Sequence, residues 1–351
     1  MVGKYCPECP QSRLLHQVFI SALPCHNPNG IGVVTMEYAY LGKSDLKVSR
    51  IGLGAMQFGP AWIKEKEVMV DILNYALDNG VTFIDTAEVY GKHMSEKVIG
   101  EVLKKRGDRD DFVIATKVHP MNVRHDDVLK AAEGSLKRLQ TDVIDLYQVH
   151  HHNPYAFASG TMKALDTLLK DGKVRYVGVS NYSVSLLEEV MPLLKNGDII
   201  SNQVEYSLLY RDIEPEIIPF QRKNGIATIA FSPLAMGVLT GKYDETTELP
   251  ETDFRRTDPL FNNKENLKEI QKVIGVMKEI ADSHDATMPA VALNWLLRSE
   301  DMFPIPGAKS ADHVKSNISA SEWKLSDDEW KSLTVASDEL VLNTFADIGR
   351  F

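Results

Sequence analysis

Residues 112–150 of the chain read FVIATKVHPMNVRHDDVLKAAEGSLKRLQTDVIDLYQVH and show the alternation of apolar runs and helical pattern that decides the fold. Two apolar runs, Phe112–Lys117 and Val143–His150, flank the segment Asp126–Leu139, whose apolar residues at 128, 132, 136 and 139 form one face of a helix. The flanking runs are nearly continuous in apolar character, as strands buried on both faces must be. This pattern predicts two parallel strands joined by a helix.

The same alternation extends over most of the 351 residues. Eight β-type runs separated by helical stretches are Ile51–Leu53, Thr82–Asp85, Phe112–Lys117, Val143–His150, Val174–Ser180, Ile199–Gln203, Ile226–Ala230 and Phe303–Ile305. Eight strands in strict alternation with helices predict an α/β protein with a single-domain (β/α)₈ TIM barrel. Because alternation does not itself show closure, a doubly wound open sheet is the alternative.

Three segments depart from the alternation. Residues 240–265 predict a long loop, and a lid, after the seventh strand. Ser326 and Glu329 have the spacing of a capping box, which predicts an extra C-terminal helix. Residues 1–35 show no period and are interpreted as an irregular N-terminal extension, either a tail or a misassigned start. The barrel domain is then 36–351, and we expect a chain beginning at Met36 to fold and keep its activity.

Composition limits the partners of this chain. Its formal net charge of −10 argues against nucleic acid, since phosphate binding needs clustered Lys and Arg. No apolar run approaches the roughly 18–20 residues of a membrane-spanning helix, so we expect no membrane partner. Cys6, Cys9 and Cys25 allow a small zinc knuckle as a minor alternative. The absence of cysteine from the barrel favours a cytoplasmic protein. The oligomeric state is not readable.

Four ionisable residues lie at or just beyond the carboxyl ends of predicted strands, where barrel enzymes place catalytic groups: Asp85, Tyr90, Lys117 and His150. Considered one at a time, each of these residues also has an ordinary structural interpretation, as a turn cap, a packed ring or a solvated strand end. Together they suit carbonyl reduction, because hydride attack leaves an alkoxide that a Tyr hydroxyl can protonate. Lys117 is expected to lower the pKa of Tyr90 from about 10 toward neutrality, Asp85 to hold Lys117, and His150 to orient the carbonyl oxygen.

Six motifs around these positions resemble the signatures of aldo-keto reductases. They are FIDTAEVYG (83–91), ATK (115–117), DLYQVH (145–150), GVSN (178–181), NQVEY (202–206) and FSPLAMGVLTGKY (231–243). The resemblance covers residues 38–335 and implies a tetrad of Asp85, Tyr90, Lys117 and His150. It implies reduction of an aldehyde or ketone to an alcohol by hydride from NADPH. The alternative is a cofactor-sensing regulatory or binding subunit with vestigial activity, as in the potassium-channel β-subunit branch.

The resemblance also implies a nicotinamide-cofactor site. Ser180, Asn181 and Gln203 would bind the carboxamide, and Phe231 would stack on the ring. The residues expected along the pyrophosphate and adenosine are Ser232, Leu234, Gly237, Lys242, Gly307, Lys309, Ser310, His313 and Asn317. His313 stands where many members carry an Arg that grips the 2′-phosphate, and it lacks the permanent charge of Arg. Since Lys309 keeps the region cationic, NADP is the preferred cofactor and NAD remains an open alternative.

Two other motifs are assigned ordinary roles. Gly52-Leu53-Gly54 imitates part of a dinucleotide fingerprint, but Gln57 occupies the third glycine position, so a tight turn is expected. The run His150–His152 invites a metal interpretation. Adjacent strand residues point to opposite faces, however, so we expect no metal, and a metal-dependent lyase or hydrolase would need clustered carboxylates.

The substrate is expected to be a small carbonyl compound whose identity the sequence does not specify. In this fold, specificity lies in variable loops, here 118–126, 240–265 and the tail after 337. Residues that could line the pocket are Trp62, His119 and Tyr182.

Overall fold

The computed structural model describes residues 36–343. Its strands are β1 Tyr38–Tyr40, β2 Lys47–Ser49, β3 Leu53–Gly54, β4 Phe83–Asp85, β5 Val113–Val118, β6 Ile144–Val149, β7 Val174–Ser180, β8 Ile199–Glu205, β9 Ala227–Phe231 and β10 Met302–Pro304. Its α-helices are α1 Lys66–Asp78, α2 Met94–Arg106, α3 His125–Leu139, α4 Ala158–Lys170, α5 Val184–Val190, α6 Ile217–Asn224, α7 Pro259–Asn262, α8 Lys264–Ser283, α9 Met288–Leu296, α10 Ala311–Ile318 and α11 Asp327–Asp338. The predictions for residues 1–35, including the three cysteines, lie outside the described residues.

Strands β3 to β10 form one parallel sheet in chain order. A parallel bridge between Gly54 and Gly307 joins its two edges, so the sheet closes on itself. At the seam, the Gly52 N–H donates to the Pro304 carbonyl at 2.9 Å and the Gly54 N–H donates to the Pro306 carbonyl at 3.1 Å. A Cβ atom on Gly54 would lie 2.7 Å from the Ile305 carbonyl oxygen. The predicted barrel is therefore confirmed, and the Gly52-Leu53-Gly54 motif forms its closing seam.

A β-hairpin that the sequence analysis did not foresee packs at the amino end of the barrel. Strands β1 and β2 pair antiparallel, with Tyr38 opposite Ser49. The buried side chains of Leu41, Leu46 and Val48 belong to the same apolar cluster as Phe83 and Phe303 from barrel strands. The hairpin thus fills the end of the barrel opposite to the carboxyl ends of the strands.

The segments outside the regular alternation are more ordered than their composition indicated. The predicted loop 240–265 contains a 3₁₀ turn, Phe254–Thr257, and the short helix α7. The extra C-terminal helix is present as α11, and Ser326 and Glu329 form the capping box that was predicted. Among the described residues, no helix is long and apolar enough to cross a membrane.

Arg50 fastens the region just before β3 to the region just before β10. Its side chain is buried, and its guanidinium donates to the carbonyls of Ser299 at 2.6 Å and Leu297 at 3.0 Å. Its Nε lies 3.4 Å from the Met302 carbonyl. One arginine therefore satisfies three carbonyl groups next to the barrel seam.

We expect Arg50→Met to lower the free energy of unfolding by about 2–4 kcal/mol, because it leaves partly buried carbonyls without a donor. Urea titration would measure the change. Arg298→Met is the matched control, because Arg298 pairs with Asp327 at the surface, and its loss should cost no more than about 0.5–1 kcal/mol. Equal losses for the two variants would contradict the role assigned to Arg50.

Candidate active site

The barrel brings together the four ionisable residues that the sequence analysis singled out. Asp85 ends β4, Lys117 lies one residue before the end of β5, and His150 directly follows β6. Tyr90 lies in the turn between β4 and α2. Because β4, β5 and β6 are consecutive neighbours in the sheet, all four side chains belong to one part of the rim.

Lys117 is the centre of the group. Its side chain has no exposed surface, and its Nζ lies 2.5 Å from Asp85 Oδ1, 2.9 Å from the Thr86 carbonyl and 3.3 Å from the Tyr90 hydroxyl. An ammonium carries three N–H donors, so these three acceptors satisfy it completely. Burial acts to lower the pKa of Lys117, but Asp85 and Tyr90 outweigh it and raise that pKa. Lys117 is therefore a permanent buried cation at neutral pH.

The second oxygen of Asp85 is held by two amides. Gln203 Nε2 donates to Asp85 Oδ2 at 2.8 Å, and Gln148 Nε2 donates to the same atom at 3.2 Å. Gln203 was expected to face the cofactor, and the structure adds this inward contact. Gln148 was not foreseen, although a glutamine within the apolar run of β6 was the signal for a polar partner inside the barrel.

The pKa of Tyr90 differs from the sequence-based expectation. Burial raises it above the ordinary value of 10 and outweighs Lys117, which acts to lower it. The expected shift toward neutrality is therefore wrong, because desolvation of the Tyr90 hydroxyl outweighs the attraction of Lys117. Tyr90 is protonated throughout the physiological range.

His150 is neutral. Burial first, and then the charges of Lys117, His151 and His119, lower its pKa to about 3. Its ring meets the ring of Tyr90 edge to face, with centroids 5.7 Å apart. The expectation that His150 and His151 point to opposite faces is wrong. Strand β6 ends at Val149, and the two rings stack with centroids 5.2 Å apart.

The residues expected at the carboxamide lie at the ends of the next strands. Ser180 Oγ donates to the Gln203 carbonyl at 2.9 Å. Asn181 has a left-handed backbone, with φ of 60°, and its N–H donates to the same carbonyl at 2.8 Å. The structure thus groups Ser180, Asn181 and Gln203 on one side of the buried Lys117–Asp85 pair.

The loop after β9 carries the residues expected along the pyrophosphate. Phe231 ends β9, and Ser232, Met236 and Gly237 have positive φ values of 48°, 52° and 100°. Such backbone turns direct N–H groups into a concave surface that suits anions. The loop also contains partly buried Leu234 and exposed Lys242.

Arg255, which the sequence analysis missed, fastens the segment 254–257 to this loop. Its Nη1 donates to the Met236 carbonyl and to the Tyr243 hydroxyl, both at 3.0 Å, and it pairs with Asp253. Phe254 then meets Trp62 edge to face at 5.1 Å. Part of the predicted lid is therefore attached to the rim rather than open.

The residues expected at the adenosine end surround the start of α10. Ser310 is the N-cap, and its Oγ accepts from the His313 N–H at 3.3 Å. Lys309 Nζ lies 4.3 Å from the centre of the Trp62 ring. Asn317 donates to the Gly307 carbonyl at 3.3 Å. Burial, and then Lys242 and Lys309, lower the pKa of His313 below 6.5.

The three expected substrate-lining residues occupy different environments. Trp62 lies on the rim beside Phe254 and Lys309. His119 follows β5, and its Nδ1 accepts from the Met121 N–H at 3.2 Å. Tyr182 is only 2% exposed and lies in the core between the barrel and its helices. Its burial leaves no surface for a substrate, so the expectation that Tyr182 lines the pocket is wrong.

A closed parallel barrel that gathers ionisable groups at the carboxyl ends of its strands is the architecture of a barrel enzyme. The protein-family model described as "Aldo/keto reductase family" matches residues 50–338 of the sequence. The chain therefore belongs to this family. It is accordingly an NAD(P)H-dependent oxidoreductase.

Named relatives and a solved structure agree with this family. The aldo-keto reductase YhdN of Bacillus subtilis is 30% identical over 89% of this chain and 96% of its own length. The aldo-keto reductase yakc [NADP(+)] of Schizosaccharomyces pombe is 34% identical over 83% of this chain and 89% of its own. An aldo-keto reductase from Klebsiella pneumoniae, solved in complex with NADPH, is 28% identical with a TM-score of 0.69, covering 85% of this chain and 94% of that one.

The pKa directions predict a flat pH profile for reduction of a neutral aldehyde at saturating reduced cofactor. His150 is neutral above its pKa of about 3, and Tyr90 stays protonated below its raised pKa. We expect kcat/KM to vary by less than about twofold between about pH 7 and about pH 9, because neither group changes charge there. A steep fall with a midpoint near pH 7 would contradict these assignments.

Proposed function

We propose that the protein reduces an aldehyde or ketone to an alcohol with NADPH, with Tyr90 as the general acid. The contact between Lys117 Nζ and the Tyr90 hydroxyl, inside a buried pair with Asp85, is the observation that carries this proposal. The Tyr90 oxygen accepts from Lys117, so its own proton is directed to another acceptor. A carbonyl oxygen at that position would receive it.

The described residues fit a nicotinamide cofactor. Ser180, Asn181 and Gln203 offer hydroxyl and amide groups beside the catalytic pair, and Gln203 Oε1 can accept from a carboxamide. The positive-φ turn around Gly237 suits a pyrophosphate. When bound, the reduced nicotinamide supplies a hydride to the carbonyl carbon. The protein's residues would then hold the ring and the carbonyl in register.

The remaining steps belong to side chains of this chain. Tyr90 gives its proton to the developing alkoxide, and the ammonium of Lys117 stabilises the tyrosinate that results. Asp85 keeps Lys117 charged and fixed, while neutral His150 orients the carbonyl oxygen with a ring N–H. Because His150 does not carry a charge, its contribution is mainly positional.

NADP is the preferred cofactor in this proposal. Lys309, the Ser310 hydroxyl and the start of α10 offer a cation and N–H donors to a 2′-phosphate. The Klebsiella pneumoniae relative was solved with NADPH, which supports the same choice.

We expect Tyr90→Phe to lower kcat for aldehyde reduction by roughly 10²–10⁴-fold, the usual range for loss of a general acid. Cofactor affinity should stay within about twofold, because the ring still packs and only the hydroxyl is lost. Aldehyde-dependent oxidation of NADPH and a fluorescence titration of the cofactor would measure the two quantities.

The matched control is Tyr176→Phe, which removes a hydroxyl that donates to Asp45 at 3.0 Å, away from the proposed site. It should leave kcat near the wild-type value. A Tyr90→Phe enzyme that turns over a good aldehyde as fast as this control would refute Tyr90 as the acid.

Lys309→Ala should weaken NADP binding by about tenfold or more, the cost of a hydrogen bond to a charged group, and NAD binding much less. Lys315→Ala, which replaces an exposed lysine of α10, should change neither. Quenching of intrinsic fluorescence by each cofactor would give the dissociation constants. Equal loss for both cofactors would place the 2′-phosphate elsewhere.

The same titrations test the role of His313 through pH. Burial, and then Lys242 and Lys309, lower the pKa of His313, and a nearby phosphate dianion would raise it, so binding takes up a proton. We therefore expect NADP binding to tighten as pH falls from about 8 toward about 6, with little change for NAD. His313→Arg should strengthen NADP binding and flatten this dependence. A pH dependence that His313→Arg does not alter would exclude His313 as the titrating group.

A further inference from the structure

A buried glutamate attaches the turn that carries Tyr90 to strand β5. Glu88 lies in the turn between β4 and α2, and its side chain is buried. Its main-chain N–H donates to the Lys117 carbonyl at 3.2 Å. Its Oε1 accepts from the His119 main-chain N–H at 2.6 Å. Glu88 therefore contacts the chain on both sides of Val118, the last residue of β5.

The same carboxylate reaches the loop that follows β5. Asn122 Nδ2 donates to Glu88 Oε1 at 3.0 Å, and Glu88 Oε2 lies 4.0 Å from the Arg138 guanidinium. This loop belongs to the segment 118–126, in which the sequence analysis placed substrate specificity. Glu88 thus joins the turn that carries Tyr90 to a loop of the rim.

A second buried carboxylate anchors the other end of the turn. Glu96, in the first turn of α2, accepts from the Thr116 hydroxyl on β5 at 2.6 Å. Between the two carboxylates lie Lys92 and His93, whose backbones are left-handed, with φ of 54° and 73°. Residues with a side chain rarely adopt this conformation. The turn therefore depends on contacts outside itself, and those of Glu88 and Glu96 lead to the same strand.

The hydroxyl of Tyr90 tolerates little displacement. Its contact at 3.3 Å is the longest of the three that Lys117 Nζ makes. Since a side-chain hydrogen bond is lost beyond about 3.5 Å, a shift of a few tenths of an ångström is enough to break this one. The position of the turn relative to β5 thus decides whether the hydroxyl and the ammonium meet.

We propose that Glu88 is a positioning residue, which keeps the Tyr90 hydroxyl within reach of Lys117 by fixing the turn to β5 and to the loop after it. The inference rests on the proposed function, because it treats Tyr90 as the general acid. Glu88 transfers no proton itself, since its Oε1 is engaged by His119 and Asn122. Its contacts also give the loop a route by which a substitution there changes the rate of proton transfer.

Glu88→Met and Glu88→Gln test this role, because both keep the length of the side chain and only glutamine keeps an oxygen acceptor. Glu88→Met should lower kcat for aldehyde reduction by about tenfold to about a hundredfold, the cost of misplacing a reacting group by about 1 Å. Glu88→Gln should keep kcat within about threefold of the wild type, because its amide oxygen can accept from His119 and Asn122. Equal kcat for the two variants would overturn the inference.

The matched control is Asp145→Leu. Asp145 is also buried, and its Oδ2 accepts from the Ile114 N–H of β5 at 3.0 Å and pairs with Arg109, at the end of the strand away from Tyr90. Its loss should lower the free energy of unfolding, as measured by urea titration, but leave kcat within about twofold. An equal fall of kcat in Asp145→Leu and Glu88→Met would show general loosening of the barrel and overturn the role of Glu88.

The loss in Glu88→Met should fall on kcat and leave KM for the aldehyde and the affinity for NADPH within about twofold, because the reacting geometry is disturbed and ground-state binding is not. The primary isotope effect on kcat, measured with NADPH deuterated at the transferred hydrogen, should rise as the chemical step becomes slower. A loss that appears in KM alone would contradict the inference.

A double-mutant cycle tests whether Glu88 acts through Tyr90. In the Tyr90→Phe background, Glu88→Met should change the single-turnover rate by less than about twofold, because the hydroxyl that Glu88 positions is already absent. The same large loss in both backgrounds would overturn the inference. If Glu88→Met does not fold, Asn122→Leu removes one donor to Glu88 and should lower kcat at least about threefold in the wild type only. An unchanged kcat would then count against the role of Glu88.

Failure of the proposed function has a different signature, since Tyr90→Phe would then reduce the aldehyde as fast as the wild type. In that case, carbon NMR of protein labelled at the tyrosine Cζ atoms decides the inference. The Tyr90 signal, identified by its loss in Tyr90→Phe, should move in Glu88→Met and stay in place in Glu88→Gln and Asp145→Leu. A Tyr90 signal that does not move in Glu88→Met overturns the positioning role, even where the reductase activity stands.

Discussion

The ammonium of Lys117 must be neutralised inside the barrel, and this requirement fixes the groups around it. A buried charge without a partner would cost several kcal/mol, so the Asp85 carboxylate on the neighbouring strand has to meet it. The Thr86 carbonyl and the Tyr90 hydroxyl take the other two donors. Since Asp85 would otherwise have one unsatisfied oxygen, Gln148 and Gln203 complete it. The position of the Tyr90 hydroxyl is thus set by the hydrogen bond that the Lys117 ammonium donates to it.

The barrel supplies the rigidity that such a pair requires. Neighbouring strands bring Asp85 and Lys117 together through main-chain ladders, so no flexible loop has to be ordered. The hairpin fills the opposite end with apolar side chains, which separates the buried charges from water on that side. The ionisable groups of the candidate site lie above this scaffold at the rim, where Arg255 attaches the segment 254–257 to the loop after β9.

The fold and the grouping of Asp85, Tyr90, Lys117 and His150 at one rim were predictable because both depend on local patterns. Buried parallel strands are continuous apolar runs, and a lysine or histidine at the end of such a run is conspicuous. The hairpin β1–β2 was not predicted because three-residue strands are too short to show a period in their apolar residues. The direction of the Tyr90 pKa shift was not predicted because the burial of a side chain depends on which residues pack over it. The stacking of His150 on His151 was not predicted because it depends on the residue at which β6 ends. Tyr182 was placed wrongly in the substrate pocket because a sequence does not show which face of a rim residue is covered.

The ring of hydrogen bonds around this barrel is uneven. Strands β6, β7 and β8 pair over long ladders, whereas β3 and β10 have two and three residues and meet through a few main-chain contacts at glycines. These contacts join residues about 250 positions apart, so closing the seam costs much loop-closure entropy and is offset by few hydrogen bonds. We therefore expect the long ladders to form an open, curved sheet before the seam closes. We expect the amides of Gly52 and Gly54, which donate across the seam, to exchange with solvent before the amides of the central strands.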